Sequence, residues 1–242
     1  LKKLIIVLSL FVKSELSVAQ LIDRQDLFWG RFMVQSNFNT KWFLINEIDN
    51  RRFFPDGIQH HTIQHNHLHY KIKPNMDIAW GQTFSWQSPQ FPETENRLVV
   101  PEIRPFQEFN VSSPITKNII FSSRIRIDER FIRKNDGENL LPGYNFNMRY
   151  RLRLQYQFFV GSKKRDNIKL INELMVNSGK DVNFFDQNRM YAGFEKVFNS
   201  RISVEAGYLR WFQQKQKFDT YFQRDILRFT LFAKLDILKK TK

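Results

Sequence analysis

Cysteine is absent from the 242 residues, which excludes disulfides, thiolate metal sites and a Cys nucleophile. Long hydrophobic runs are absent too. Nowhere do ~18 apolar residues follow one another, so no membrane-crossing helix is expected. There is no phosphate-cradling glycine loop and no dinucleotide fingerprint, and no nucleophile elbow surrounds any serine. The mean hydropathy of −0.48 resembles that of a soluble protein. It is equally the signature of a chain whose strands each show one face to water and one to lipid.

Aromatic residues are plentiful, at 15% of the chain with 25 Phe, 7 Tyr and 5 Trp. Lys and Arg outnumber Asp and Glu by 38 to 24, a formal net charge of +14. In a cytosolic protein that excess points to nucleic acid. Its placement here argues otherwise. From Asn145 to Phe158 the chain reads NFNMRYRLRLQYQF, with Asn145, Asn147, Arg149, Arg151, Arg153, Gln155 and Gln157 on one parity. Phe146, Met148, Tyr150, Leu152, Leu154, Tyr156 and Phe158 occupy the other. Alternate residues of a β-strand face opposite ways, so basic and aromatic groups are segregated to opposite faces. Nucleic-acid binding needs them together on one surface and is not expected. The stretch far exceeds the ~5 to 6 residues of an ordinary strand and suits the ~9 to 11 needed to cross an outer membrane, plus a projection.

At the start, Lys2 and Lys3 form a basic region, Leu4 to Val12 (LIIVLSLFV) an apolar one, and Ser17-Val18-Ala19 a small-residue site. This is the pattern of a cleaved signal peptide over residues 1–19. Residues 20–242 then make one outer-membrane β-barrel domain. Turn signals divide it into strands near Phe28–Ser36, Thr40–Phe53, Ile58–Ile72, Met76–Gln87, Glu102–Val111, Asn118–Phe131, Asn145–Val160, Ile168–Asn177, Gln187–Phe198, Arg201–Gln213 and Tyr221–Ile237. Bacterial barrels normally have an even strand number. The expectation is an all-β, antiparallel up-and-down transmembrane β-barrel of about 12 strands, with 10 as the alternative, and with Gln20 to Leu27 as the place where an extra strand could lie.

The polar parity carries Glu47, Arg51, Glu102, Arg104, Glu108, Arg124, Arg126, Arg130, Arg149, Arg151, Arg153, Glu173, Arg189, Glu195, Glu205 and Arg228. These are the candidate lumen-lining residues. As an Arg and Glu network they either fill a narrow barrel and set its register, or form a cation-rich constriction for anions. In IQHHTIQHNHLHYKI, His61, His65, His67 and His69 share one parity and His60 lies on the other. His65, His67 and His69 are candidate metal ligands, although a spacing of about 7 Å along one strand requires help from a neighbour.

Several segments, in order, carry a resemblance: NEIDNRRF (Asn46–Phe53), VVPEIRPFQEF (Val99–Phe109), SRIRIDERF (Ser123–Phe131), RYRLRLQY (Arg149–Tyr156), INELMVNSG (Ile171–Gly179), FDQNRMYAGFE (Phe185–Glu195), VEAGYLRWFQ (Val204–Gln213) and RDILRFTL (Arg224–Leu231). With them the chain resembles domain-of-unknown-function family 2490, uncharacterised bacterial outer-membrane β-barrel proteins. The resemblance implies location in the bacterial outer membrane and supplies no catalytic residue. The expected function is a small porin-like pore or a side-chain-filled structural barrel with an Arg/Glu-lined lumen. The competing class is a rim-located lipid-modifying outer-membrane enzyme, for which Ser85, Ser88 or Ser123 would have to meet a His across strands. No cofactor is expected. Partners would be outer-membrane lipid, small anionic solutes and the barrel-insertion machinery during biogenesis.

Overall fold

The computed structural model describes residues 21–161, 165–217 and 219–237; residues 1–19, read above as a signal peptide, lie outside them. Alternating polar and apolar residues form β1 (Leu21–Asn37), β2 (Trp42–Phe53), β3 (Gln59–Lys73), β4 (Met76–Gln87), β5 (Val100–Thr116) and β6 (Ile119–Asn135). The chain continues through β7 (Leu140–Val160), β8 (Asp166–Gly179), β9 (Phe185–Val197), β10 (Ile202–Gln214) and β11 (Thr220–Asp236). Each strand pairs with the next, and β1 pairs with β11, so the sheet closes into a barrel with no free edge. Among the described residues no helix is long and apolar enough to cross a membrane.

The barrel has eleven strands, between the ten and twelve expected. A meander with an odd count brings its first and last strands together pointing the same way. The closing pair is therefore parallel, in register from Leu21 opposite Thr220 to Asn37 opposite Asp236, while every other pair is antiparallel. Residues 21–27 add no twelfth strand; they lengthen β1. Pro114, between the two strands expected at Glu102–Val111 and Asn118–Phe131, lies inside β5 at a register shift, a position that tolerates a residue without an N–H.

Outside, the wall is apolar on every strand, with Phe28, Ile48, Leu68, Trp80, Phe109, Ile125, Leu152, Leu174, Phe194, Tyr208 and Leu227 all exposed. Aromatic pairs tie neighbouring strands there, among them Phe28 with Phe229 across the parallel seam at 5.5 Å and Phe131 with Phe146 at 5.0 Å. Inside, Asp49, Thr83, Asp128 and Arg224 are completely buried. A soluble protein has the opposite arrangement.

Glycines on both sides of the interior make room for aromatic rings. A Cβ on Gly81 would lie 2.1 Å from Phe106 Cζ, and one on Gly207 would lie 2.4 Å from the Tyr191 hydroxyl oxygen. Each ring then supports a guanidinium: Arg126 is 3.4 Å from the Phe106 centroid and Arg228 is 3.6 Å from that of Tyr191. At one mouth, residues 88–99 cross the opening. Gln25 Nε2 donates to Gln90 O at 2.7 Å on one side, and Asn96 Nδ2 donates to Glu138 O at 3.2 Å on the other.

Candidate functional site

The interior holds a cavity of about 760 Å³. Every candidate lumen-lining residue named from the sequence borders it except Glu195 and Glu205. Those two lie beside it, sharing the Lys169 ammonium at 2.7 Å each. Parity placed each residue on the inner face; the tertiary structure decided which one pairs with which.

On β5 to β8 the pairing is between guanidiniums and carboxylates. Glu173 accepts from Arg124 at 2.6 Å and Arg151 at 2.9 Å, with Arg189 further off at 3.9 Å. Glu108 takes Arg126 at 3.0 Å and Arg124 at 3.5 Å. Glu102 holds Arg104 at 2.8 Å and Arg130 at 2.5 Å. Arg126 also donates through Nε to Asp128 at 2.6 Å. Three carboxylate partners were not among the named candidates: Asp128, Asp49, which receives Arg31 at 2.6 Å, and Asp186, which receives Arg149 at 2.9 Å. The signal for Asp49 and Asp128 was available, since each shares the parity of a named neighbour, Glu47 and Arg126.

Across the lumen the surroundings change. Leu27, Trp29, Phe53, Tyr191, Leu209, Trp211 and Ile226 form a buried apolar cluster on β1, β2, β9, β10 and β11. The guanidiniums here lie against rings: Arg51 is 3.7 Å from the Trp29 centroid, Arg189 is 4.5 Å from Trp211, and Arg224 is 4.6 Å from Trp211. Among the described residues Arg224 donates only to carboxamides, at 2.7 Å to Gln25, 2.5 Å to Gln213 and 2.8 Å to Gln90.

The His row does not form one centre. His67 and His69 group with Glu108, and His65 groups with Glu47 and Asp49, each set offering ligand atoms within 4.8 Å of one another. Both sets already commit carboxylates to guanidiniums, Glu108 to Arg126 at 3.0 Å and Asp49 to Arg31 at 2.6 Å. A divalent cation would meet those guanidiniums at close range, so the donor sets suit ion pairing better than metal binding. His60 departs from its expected face. Arg51 lies opposite His61 and Arg52 opposite Gln59, so His60 is the extra residue of a β-bulge and turns inward, fully buried. One Ser and His do meet: Ser85 Oγ and His61 Nε2 hydrogen-bond at 2.6 Å, while His61 Nδ1 has no partner.

An apolar exterior around a charged, partly hollow interior defines the class as a closed β-barrel of inverted polarity. The chain belongs to the family described as a protein of unknown function (DUF2490), whose model matches residues 27–222. No curated protein and no solved structure matches it.

Proposed function

We propose that the protein is a bacterial outer-membrane barrel acting as a narrow pore that favours small anions. The observation that carries this reading is the extent of the cavity. It borders β6 from Ser122 to Asn135 and β5 from Val100 to Ser112, nearly the whole length of both strands. At ~3.3 Å per residue and a tilt of ~40°, the β6 stretch rises roughly 30 Å, comparable to the hydrocarbon core of a bilayer. A volume of about 760 Å³ spread over that height is a narrow thread, suited to small solutes. Eleven Arg against four Glu border it, which lowers the barrier for anions. The exposed apolar belt supports the membrane setting, because in water it would be an aggregation surface.

Purified protein in planar bilayers under a salt gradient tests the reading. Small discrete current steps with a reversal potential displaced toward the anion are expected. An absence of current would retire the pore and leave a closed structural barrel.

The Ser85 and His61 pair favours a second reading, the rim-located lipid-modifying enzyme. It ranks lower on two grounds. No carboxylate orients His61 Nδ1, and both side chains are buried in the interior rather than turned to lipid. Incubation with phospholipid or lipid A followed by mass analysis decides it: a product lost in Ser85→Ala supports catalysis, and no product ends it.

A further inference from the structure

Around Trp29 and Trp211 the buried atoms left without partners are mostly of one kind. Arg51 Nε, Arg189 Nε, Trp29 Nε1 and Trp211 Nε1 are all donors without an acceptor among the described residues. Beside them, among the described residues, Gln187 Oε1 and the ring nitrogens of His60 and His61 offer the unpartnered acceptors, and the His60 ring meets Trp211 edge-on at 6.0 Å. Burying a donor without an acceptor costs about 1–3 kcal/mol each. The set is therefore complementary to something rich in acceptors.

Charge points the same way. The Arg51 and Arg189 guanidiniums flank the same two indoles, Arg51 at 3.7 Å from Trp29 and 5.6 Å from Trp211, Arg189 at 5.7 Å and 4.5 Å. Their nearest carboxylates are already shared. Asp49, 3.2 Å from Arg51, is held by Arg31 at 2.6 Å. Glu173, 3.9 Å from Arg189, is held by Arg124 at 2.6 Å and Arg151 at 2.9 Å. Arg224 adds a third cation on the Trp211 ring with only neutral acceptors. An aromatic face attracts a cation but does not cancel its charge. Trp29, Arg51, Arg189 and Trp211 all border the cavity, and their four unpartnered atoms are covered in its wall, so an anion engages them with a small rotation of these side chains.

We infer that this pocket binds a small free oxyanion of the phosphate or carboxylate class, held by Arg51 and Arg189 with the two indole N–H groups as additional donors. The inference deepens the anion-favouring reading above by naming where in the lumen an anion dwells, and it can fail independently of conduction.

The test uses the full barrel in detergent micelles, titrated calorimetrically with sodium phosphate and with sodium acetate at constant ionic strength, with tryptophan emission followed in parallel. Saturable binding of at least one anion, accompanied by a change in emission, is expected. Arg189→Gln should weaken it about tenfold, the worth of one charge-assisted hydrogen bond. Trp211→Phe keeps a ring beneath Arg189 but removes the N–H, and a loss of about threefold is expected. Arg97→Gln removes the same unit charge from the 88–99 segment, away from the indoles, and should leave affinity within about twofold. Should Arg189→Gln fail to fold, Arg51→Gln and Trp211→Phe carry the same comparison. No saturable binding of either anion overturns the site. Equal weakening by Arg189→Gln and Arg97→Gln also overturns it, since the effect would then be the general field of the barrel. A short-chain phosphatidic acid that binds where free phosphate does not would overturn the free-anion assignment. Current without binding removes the site and keeps the pore; binding without current does the reverse.

Discussion

On the β5 to β8 wall, each interior carboxylate gathers two of that wall's guanidiniums, as Glu173 does with Arg124 and Arg151. On the opposite wall, Arg51, Arg189 and Arg224 lie over Trp29 and Trp211 and share few carboxylates among them. Both arrangements hold a buried cation, with different consequences. A carboxylate neutralises the charge and, being shared between strands, locks β6, β7 and β8 in register. A ring supplies a few tenths to ~2 kcal/mol of attraction and leaves the charge available. One wall thus maintains the barrel, while the other keeps a positive surface turned toward the lumen.

The largest expected effect breaks the first wall. Glu173→Ala leaves Arg124, Arg151 and Arg189 without their shared partner and should destabilise the barrel by about 3 kcal/mol or more, read as a lower urea midpoint for unfolding from lipid vesicles. An unchanged midpoint would mean that the guanidiniums are hydrated and the network is not structural.

The glycine, ring and guanidinium stacks allow the two walls to be compared like for like. Gly81→Ala and Gly207→Ala each place a methyl group against the supporting ring, at 2.1 Å from Phe106 Cζ and 2.4 Å from the Tyr191 hydroxyl. Losses of about 1–3 kcal/mol are expected from the same unfolding measurement. If only one wall responds, the two stacks are not equivalent.

A finer probe is Tyr191→Phe. The Tyr191 hydroxyl donates to Glu205 at 2.7 Å beside Arg228 and Lys169. Removing it while keeping the ring under Arg228 should cost about 1 kcal/mol with little change in conductance. A large conductance change would move Tyr191 from support to solute path. The smallest effect belongs to neither wall: Lys196 pairs with Asp166 at 2.6 Å on the exposed rim, and Lys196→Ala should leave the unfolding midpoint unchanged.

How much was legible beforehand varies along the chain. β4 spans Met76–Gln87, the bounds read from its alternation, and the extent of β9 differs from the reading by a residue or two. β7 begins at Leu140, five residues before the Asn145 expected, because Pro142 and Gly143 look like a turn; Leu140 pairs with Asn135 beyond them, and the two lie in the register shift between that pair and Tyr144 opposite Arg133. The eleven stretches were visible, and a preference for even counts argued against them; the parallel β1–β11 seam pairs the two edges along the whole of β1 without a twelfth strand. His60 shows the limit of parity, since one bulge reverses the face of a residue and no local composition announces it.

Sequence by itself determined the strands, their two faces and the inward set of Arg and Glu, because a side-chain period of two is a local property of extended backbone. Which carboxylate serves which guanidinium, which cations rest on Trp29 and Trp211, and how residues 88–99 reach Gln25 and Arg224 were decided only in the closed barrel. Arg224 and Gln90 are separated by more than half the chain, and only ring closure brings them to 2.8 Å.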